Sequence, residues 1–473
     1  MGLPSVFETG RTGMVANKAA IATTGHNIAN ANTEGFSRQR IQTEPNTPRP
    51  SMGSHNIVGT GAVVSRVERI NDEYLEKQIR NATRDLSHFE EKDIILRQTE
   101  DIFNEMNGDG LNRLVSRFFN EFRKLSNEPD NEAIRQSVRE ASQSMVNDFH
   151  RIRKEVDEVR RHIDARLEGY TSEINQQAEE LRNLNIEINK MELSGASAND
   201  LQDKRDKVMK KLGSYMTIDM HKDKNGQVIA DIRGVGPLVV GPEHEKFSVM
   251  RSPADDQGKI ENALDLKTSA SAQSVVTHQI KGGKLGALVE VRDQTLSAIL
   301  SRLDDLAFSL SESVNQVHTQ GYSRTGAKGI AYFEKPLTKD RAAEFIELSD
   351  AVKSNVNNIA TAAIPDAPGD NRVALAISAI QNAQIMNEGH ATMDDWYNSI
   401  VSDVGVTSSK NRNGIHQQQD MMTQLSKMRD QVSGVSIDEE TANLMQFQHA
   451  FDASAKVIQI ADECLKTVLE LRR

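Results

Sequence analysis

The two ends of this chain carry apolar residues at a seven-residue period, and that constrains the fold more than anything between them. In the last forty residues Ile437, Leu444, Phe451, Ile458 and Leu465 recur every seventh position, with Phe447, Ala461 and Val468 on the intermediate line. The first thirty residues repeat the pattern more weakly, at Phe7, Met14, Ile21 and Ile28, and run into the polar, glycine-containing segment 27–36. A seven-residue apolar period describes a helix that buries a narrow seam against another helix. Each fully buried Leu, Ile or Phe contributes roughly 1.5–3 kcal/mol, but only where a partner covers it. An isolated helix of this length is marginal in water, so the C-terminal helix needs a partner and the N-terminal heptad is the natural one. Two readings stay open: a pair that merely ties the chain ends together, or a pair that also packs against neighbouring copies. The same reasoning predicts termini that are mobile in a lone subunit.

Composition agrees with narrow seams. Of 473 residues, 37% are hydrophobic, 4% aromatic and 26% charged, which suits long helices with wet outer faces better than one large core. The balance of 57 basic against 68 acidic residues gives a net charge of −11, so no nucleic-acid partner is expected. The single cysteine, Cys464, excludes an internal disulfide and reads as a small residue flanking the seam. No stretch reaches eighteen apolar residues, so membrane insertion is not expected. Glu8, Arg11, Asn17 and Lys18 interrupt any apolar leader, so no cleaved signal peptide is expected either.

Between the ends, residues 37–70 are rich in Pro and Gly and read as extended or loop structure, with a short strand from Val63 to Ile70. Helical spacing resumes near Asn71 and continues through Phe103, breaks at Asn107–Gly110, and returns to about Leu125. From Asn131 to about Leu193 a very long stripe runs from Ile134 through Val138, Met145, Ile152, Ile163, Ile174 and Leu181 to Met191. Alternation with tight turns, including Asn225-Gly226 between two apolar runs, predicts a small β-domain over 214–282. Helix returns at Lys284, a Gly-rich loop spans 321–329, segment 333–370 is mixed, and helices are predicted over 371–387 and 392–430. The expected fold is mainly α with an inserted β-domain. Residues 1–60 and 431–473 form a terminal coiled-coil polymerisation domain. Residues 61–213 and 283–430 form a long-helix body, and 214–282 an outer β-domain.

Motifs that could carry chemistry fail in detail. His244-Glu245 begins a zinc-protease pattern, but position 248 is Ser where the second histidine must stand. Asp223, Asn225 and Gly226 resemble part of a calcium loop whose first and twelfth positions would be His221 and Ile232, neither usable. Gly282, Gly283 and Gly286 lack the Gly-Lys-Ser/Thr ending of a phosphate loop and read as a turn into a helix. His26, His55, His318 and His449 are scattered without ligand spacing. The acids Asp438, Glu439 and Glu440 suit a first helical turn, capped by Ser436 or Asp438. No catalytic residue, metal ligand or cofactor is expected.

Four stretches carry a resemblance. Ala22-Thr-Thr-Gly-His-Asn-Ile-Ala-Asn-Ala-Asn-Thr-Glu-Gly-Phe-Ser-Arg38 resembles the N-terminal signature of the bacterial flagellar rod, hook and hook-associated axial proteins. Ser433-Gly-Val-Ser-Ile-Asp-Glu-Glu-Thr-Ala-Asn-Leu-Met-Gln-Phe-Gln448, Ile280-Lys-Gly-Gly-Lys-Leu-Gly-Ala-Leu-Val-Glu-Val-Arg-Asp293 and Val314-Asn-Gln-Val-His-Thr-Gln-Gly-Tyr322 are similar to segments of the hook-associated branch. Gly10, Gly13 and Asn17 make the first helix less apolar than that pattern leads one to expect.

The resemblance implies a structural protein at the junction of hook and filament. It implies a terminal coiled coil lining a central channel, a helical domain around it and an outer domain facing solvent. It implies an extracellular location on the flagellum, reached through the flagellar type III apparatus. The implied partners are further copies of the chain, the flagellar hook protein, a second junction protein (hook-associated protein 3) and a cytoplasmic export chaperone on the C-terminal helix. The implied assembly interface comprises Phe7, Met14, Ile21, Asn27, Ile28, Asn30, Asn32, Gly35, Phe36, Ile437, Leu444, Phe447, Phe451, Ile458, Leu465 and Val468. The alternatives are the hook protein or another axial protein, against which the Asp438-Glu439-Glu440 run argues, an exported enzyme carried on residues 214–282, or an adhesin.

Overall fold

Long apolar stripes with few helix breakers dictate an α-rich chain, and the structure, a computed structural model, is one. It describes residues 3–47, 49–50, 57–103, 110–223, 226–251, 264–268, 275–335, 338–367 and 369–470. The chain opens with helix α1 (Leu3–Ala29). A hairpin follows, with β1 (Gln39–Pro45) antiparallel to β4 (Ala62–Arg69) and the two-residue strands β2 (Arg49–Pro50) and β3 (Ile57–Val58) paired between them. β4 matches the predicted strand, and β1 lies where extended or loop structure, but no particular strand, is predicted. Its residues Gln-Arg-Ile-Gln-Thr carry no apolar alternation, and pairing with β4 supplies what the pattern does not.

Helix α2 (Glu73–Ile102) starts at Asp72, whose carboxylate accepts the N–H groups of Tyr74 and Leu75. Most of the break predicted at Asn107–Gly110 lies outside the described residues. Gly110 leads into α3 (Leu111–Asn127), which buries Phe118, Phe119 and Phe122 on one face.

Helix α4 (Glu132–Leu193) has 62 residues, a length of about 90 Å at 1.5 Å per residue. It contains no proline, and the Asn131 side chain caps its start by accepting from Ala133 and Ile134 N–H. Gly169 sits inside it without a break. Its buried line runs through Val138, Met145, Ile152, Val156, Ile163, Leu167, Ile174, Leu181 and Ile188. Met191, expected at the end of that line, is exposed because the helix there has run past its neighbours.

Helix α5 (Asn199–Tyr215) has no counterpart among the predicted elements: dense charge masks its apolar positions Val208, Met209, Leu212 and Tyr215, which are buried.

Strands β5 (Ile218–Lys222), β6 (Val228–Ile232), β7 (Gly236–Val240) and β8 (Glu243–His244) form an antiparallel sheet in that order. β9 (Phe247–Arg251) and β10 (Leu264–Thr268) pair beside it. Asn225 of the predicted turn lies outside the described residues. The sheet does not enclose a core of its own. Val228, Ala230, Ile232, Leu238, Val239 and Phe247 belong to the same continuous core as α4. Asn175 of α4 pairs with both backbone groups of Phe247 at 2.8 Å, and Asn185 donates to Val228 O at 2.9 Å.

Helix α6 (Gly283–Glu290) begins at the predicted glycine turn. Gly282 and Gly283 have φ of 68° and 60°, and a Cβ on Gly283 would stand 2.5 Å from the Tyr215 carbonyl carbon. A π turn over Val291–Thr295 leads into α7 (Leu296–His318). The mixed segment holds α8 (Ala342–Phe345) and α9 (Asp350–Ser354), followed by α10 (Arg372–Ala379). Buried Arg135 of α4 ties this segment down by donating to Pro129 O, Ile359 O and Thr361 Oγ1 at 2.5–3.1 Å. Helix α11 (Met393–Ser433) returns along α2, where Gly414 leaves room for the Phe89 ring. Helix α12 (Ile437–Glu470) closes the chain.

His318, one of the scattered histidines, is a packing residue. It is fully buried at the end of α7, with Nδ1 2.7 Å from Ile330 O and Nε2 2.8 Å from the Ala360 N–H. These partners require the neutral ring, donating from Nδ1 and accepting at Nε2. Burial pushes its pKa from 6.5 down to about 4. A depressed folded-state pKa makes its contribution complete above pH 6.5 and lost as pH falls toward 4. Replacing His318 with Gln is expected to flatten the pH dependence of unfolding across this window by up to about 3 kcal/mol. Chemical denaturation at a series of pH values checks it, and an unchanged slope would refute this role.

Candidate assembly interface

Helices α1 and α12 lie antiparallel, and their approach is set by residue size. A Cβ on Gly10 would sit 2.7 Å from Ile458 Cγ1 and 3.2 Å from Ser454 O, and one on Gly13 would sit 2.9 Å from Ser454 Oγ. The buried residues of α1 are Gly10, Thr12, Ala16, Ala20, Thr24 and Asn27, all small or polar. Those turned inward on α12 include the bulky Leu444, Phe447, Phe451 and Ile458, half-buried, with Ala461 buried. At Gly10 and Gly13 bulky and small residues thus meet across the pair, whereas Thr12 is buried against the loop before β4, where its hydroxyl donates to Thr60 O. Met14, Ile21 and Ile28 flank the contact half-buried, and Phe7 is 46% exposed. Bulky residues on both helices at the seam would hold the axes apart, so the glycines that weakened the apolar pattern are what permit the pairing.

The register is fixed at the other end by a polar latch. Glu440 is 2% exposed, in line with the seam seven residues before Phe447. Its carboxylate meets Arg38 Nη2 at 2.6 Å and accepts from Asn27 Nδ2 at 3.0 Å. The Asn27 amide also donates to Gln39 O at 2.9 Å and accepts from Gln39 N at 3.0 Å, as a neighbouring strand would. Arg38 reaches Glu439 at 3.0 Å, and its backbone N–H donates to Ser433 O. The three acids are therefore not equivalent. Glu439 N–H donates to the Ser436 cap at 3.4 Å, whereas Glu440 is a buried partner.

The same loop docks onto α5 and α11. Ser37 N–H donates to Asp203 at 3.0 Å, Gln39 Nε2 donates to Asp200 at 2.7 Å, and Arg69 Nη1 lies 2.7 Å from Asp203 and 2.6 Å from Asp206. Burial pushes the Asp203 carboxyl up in pKa, while the Ser37 amide and Arg69 pull it back. Arg429 of α11 pairs with Glu76 at 2.8 Å and donates to Phe36 O.

Within the N-terminal signature, Asn30 donates to His26 O and receives the Thr33 hydroxyl, and Phe36 stands edge-on to the His26 ring at 5.4 Å. Gly35 turns the chain at φ 86°, which favours glycine, while Asn32 is exposed. Ile437, Leu465 and Val468 are exposed. The register set by Gly10–Ile458 and Asn27–Glu440 brings the start of α1 level with Cys464, so Leu465 and Val468 continue the seam line past its end. Val457, Ile460 and Leu469 add further exposed apolar surface to α12. Among the described residues, α12 makes its extended contacts with α1 alone.

Sequence reasoning missed Gly10, Gly13, Arg38, Gln39 and Glu440. The signal for Glu440 was present, because an acid at a seam position requires a partner. Among the described residues no group of three or more His, Cys, Asp or Glu could hold a metal, and no helix is long and apolar enough to cross a membrane.

Known proteins resemble this chain along its whole length. A family described as the flagellar hook-associated protein FlgK helical domain matches residues 96–333. A flagella basal body rod protein family matches residues 7–36, and the flagellar basal body rod FlgEFG protein C-terminal family matches residues 429–471. Flagellar hook-associated protein 1 of Bacillus subtilis is 27% identical over 496 residues, covering 98% of this chain and 97% of that one. Its counterpart in Salmonella typhimurium is 23% identical over 560 residues, covering 99% and 100%. The solved flagellar hook junction protein FlgK from Burkholderia pseudomallei shares the fold with a TM-score of 0.66 at 15% identity, covering 75% of this chain and 100% of that one.

The seam geometry separates two glycines on one helix. Gly10→Val is expected to push α12 off α1 and speed tryptic cleavage after Lys456. A Cβ added at Gly25 would meet no atom within 4 Å, so Gly25→Ala is expected to stabilise the helix by about 0.5–1 kcal/mol. Limited proteolysis and thermal unfolding read the two effects. Equal behaviour of both variants would contradict the close approach at Gly10.

Proposed function

The chain belongs to the family of the flagellar hook-associated protein FlgK, and from that membership we propose how it works. It is a structural protein of the bacterial flagellum, at the junction between hook and filament, and it assembles with copies of itself through its terminal helices. The single observation that carries the mechanism is that α12 is covered by α1 on one face only and presents Ile437, Val457, Ile460, Leu465 and Val468 to solvent. Exposed apolar side chains stabilise nothing in a lone subunit and gain when a neighbour covers them.

In this reading residues 1–60 and 431–473 form the polymerisation domain, 61–213 and 283–430 the helical body, and 214–282 the outer domain. Phe7, Met14, Ile21 and Ile28 contribute to contacts between copies together with Asn32, Leu465 and Val468. The hook protein is the partner on one side and hook-associated protein 3 on the other. Before export through the flagellar type III apparatus, a cytoplasmic chaperone covers the apolar face of α12. That the extended contacts of α12 are with α1, and none of its residues belongs to the core around α4, supports this order.

Deleting residues 437–473 is expected to leave the helical body folded, with its circular-dichroism melting transition retained, and to abolish filament attachment to hooks in motile cells. Attached filaments built with the truncated protein would overturn the assignment.

A further inference from the structure

A cavity of about 410 Å³ opens between the first turns of α2, helix α5 and strands β5 and β6. Its wall is charged on both sides, but the charges do not balance. Each carboxylate on the wall is already engaged: Glu73 with Lys222, Glu76 with Arg429 at 2.8 Å, and Asp206 with Arg69 at 2.6 Å. Two guanidinium groups on the same wall are not. Arg205 is only 3% exposed, and among the described residues its Nε and Nη1 have no hydrogen-bond partner. Glu192, the remaining carboxylate whose charge acts on it, instead accepts from Gln202 at 2.8 Å. The Arg80 side chain is half-buried and makes no hydrogen bond or ion pair among the described residues, although the charges of Asp206, Glu76 and Glu73 act on it. Burial penalises both cations and holds their pKa values below the ordinary arginine value.

A buried guanidinium with empty donors is rare in folded proteins, because each unmade bond leaves the desolvation of the charge uncompensated. The planar fork of Arg is matched by two oxygens on one atom, as in phosphate, sulfate or carboxylate. We propose that this cavity is an anion site in which Arg205 and Arg80 bind an oxyanion. The site lies away from the α1–α12 seam, at the joint between the helical body and the sheet, so an anion there braces the sheet against α2 and α5. The ligand chemistry is shared by a free inorganic oxyanion and by an acidic side chain of a neighbouring copy.

The test is calorimetric titration of the full chain at neutral pH and fixed ionic strength, with inorganic phosphate in one arm and acetate in the other. Saturable phosphate binding is expected, weakened about tenfold or more in Arg80→Met. Arg80 is the safer variant for folding, and Arg205→Gln is the second. Arg233→Met serves as control, since Arg233 pairs with Asp219 on the exposed sheet surface at 2.7 Å. Binding of phosphate alone assigns a free tetrahedral oxyanion, and binding of both anions assigns a site open to a carboxylate from a neighbour. Absence of binding by either anion, or binding unchanged in both arginine variants, would overturn the proposal and leave the cavity to water.

Discussion

A carboxylate buried between an arginine and an asparagine holds the two ends of this chain in register. Arg38 supplies the counter-charge that the buried Glu440 carboxylate needs, and Asn27 ties it to the backbone of Gln39. Because Arg38 and Gln39 belong to the segment that leads from α1 into β1, the contact fixes three elements together. The same segment reaches Asp200 and Asp203 of α5 and, through Phe36, Arg429 of α11. The polar signature after the first helix is therefore a junction in the literal sense: its side chains join the terminal pair to the body.

Beyond the latch, the pair depends on shape. Gly10 and Gly13 allow α12 to lay Ile458 and Ser454 against the α1 backbone. That contact covers one face of α12. The body, by contrast, encloses a core that runs along α4 from the aromatic cluster of Phe118, Phe122 and Tyr332 to the strands around Ala230 and Leu238, with a smaller cluster of Leu75, Ile79, Ala82 and Leu425 between α2 and α11. The molecule thus combines a rigid, self-sufficient spine with ends whose apolar surface is only half used. A subunit that must stay folded while its ends await neighbours needs that division.

The periodic helices α2, α4, α7 and α12 are legible in the sequence because each carries a long stripe at helical spacing. The β-region is legible through alternation and turns, though not its dependence on Asn175 and Asn185 for docking. What stays hidden follows from tertiary context. In α1 the bulky heptad dominates the pattern, while the seam uses the small residues beside it. Helix α5 is masked by charge, yet its aspartates hold the N-terminal segment. Asn27 is marked through resemblance, but no local pattern shows that its amide completes a strand-like pairing with Gln39 and a bond to Glu440 at once.

The terminal helices are paired but incompletely covered in the single subunit, and the proposed assembly depends on that. Amide hydrogen exchange measures it directly, by comparing residues 444–461 of α12 with residues 150–190 of α4, in the isolated chain and in the assembled junction. Faster exchange in α12 than in α4 is expected for the isolated chain, and equal protection after assembly. Exchange in α12 as slow as in α4 before any neighbour is present would contradict this mechanism.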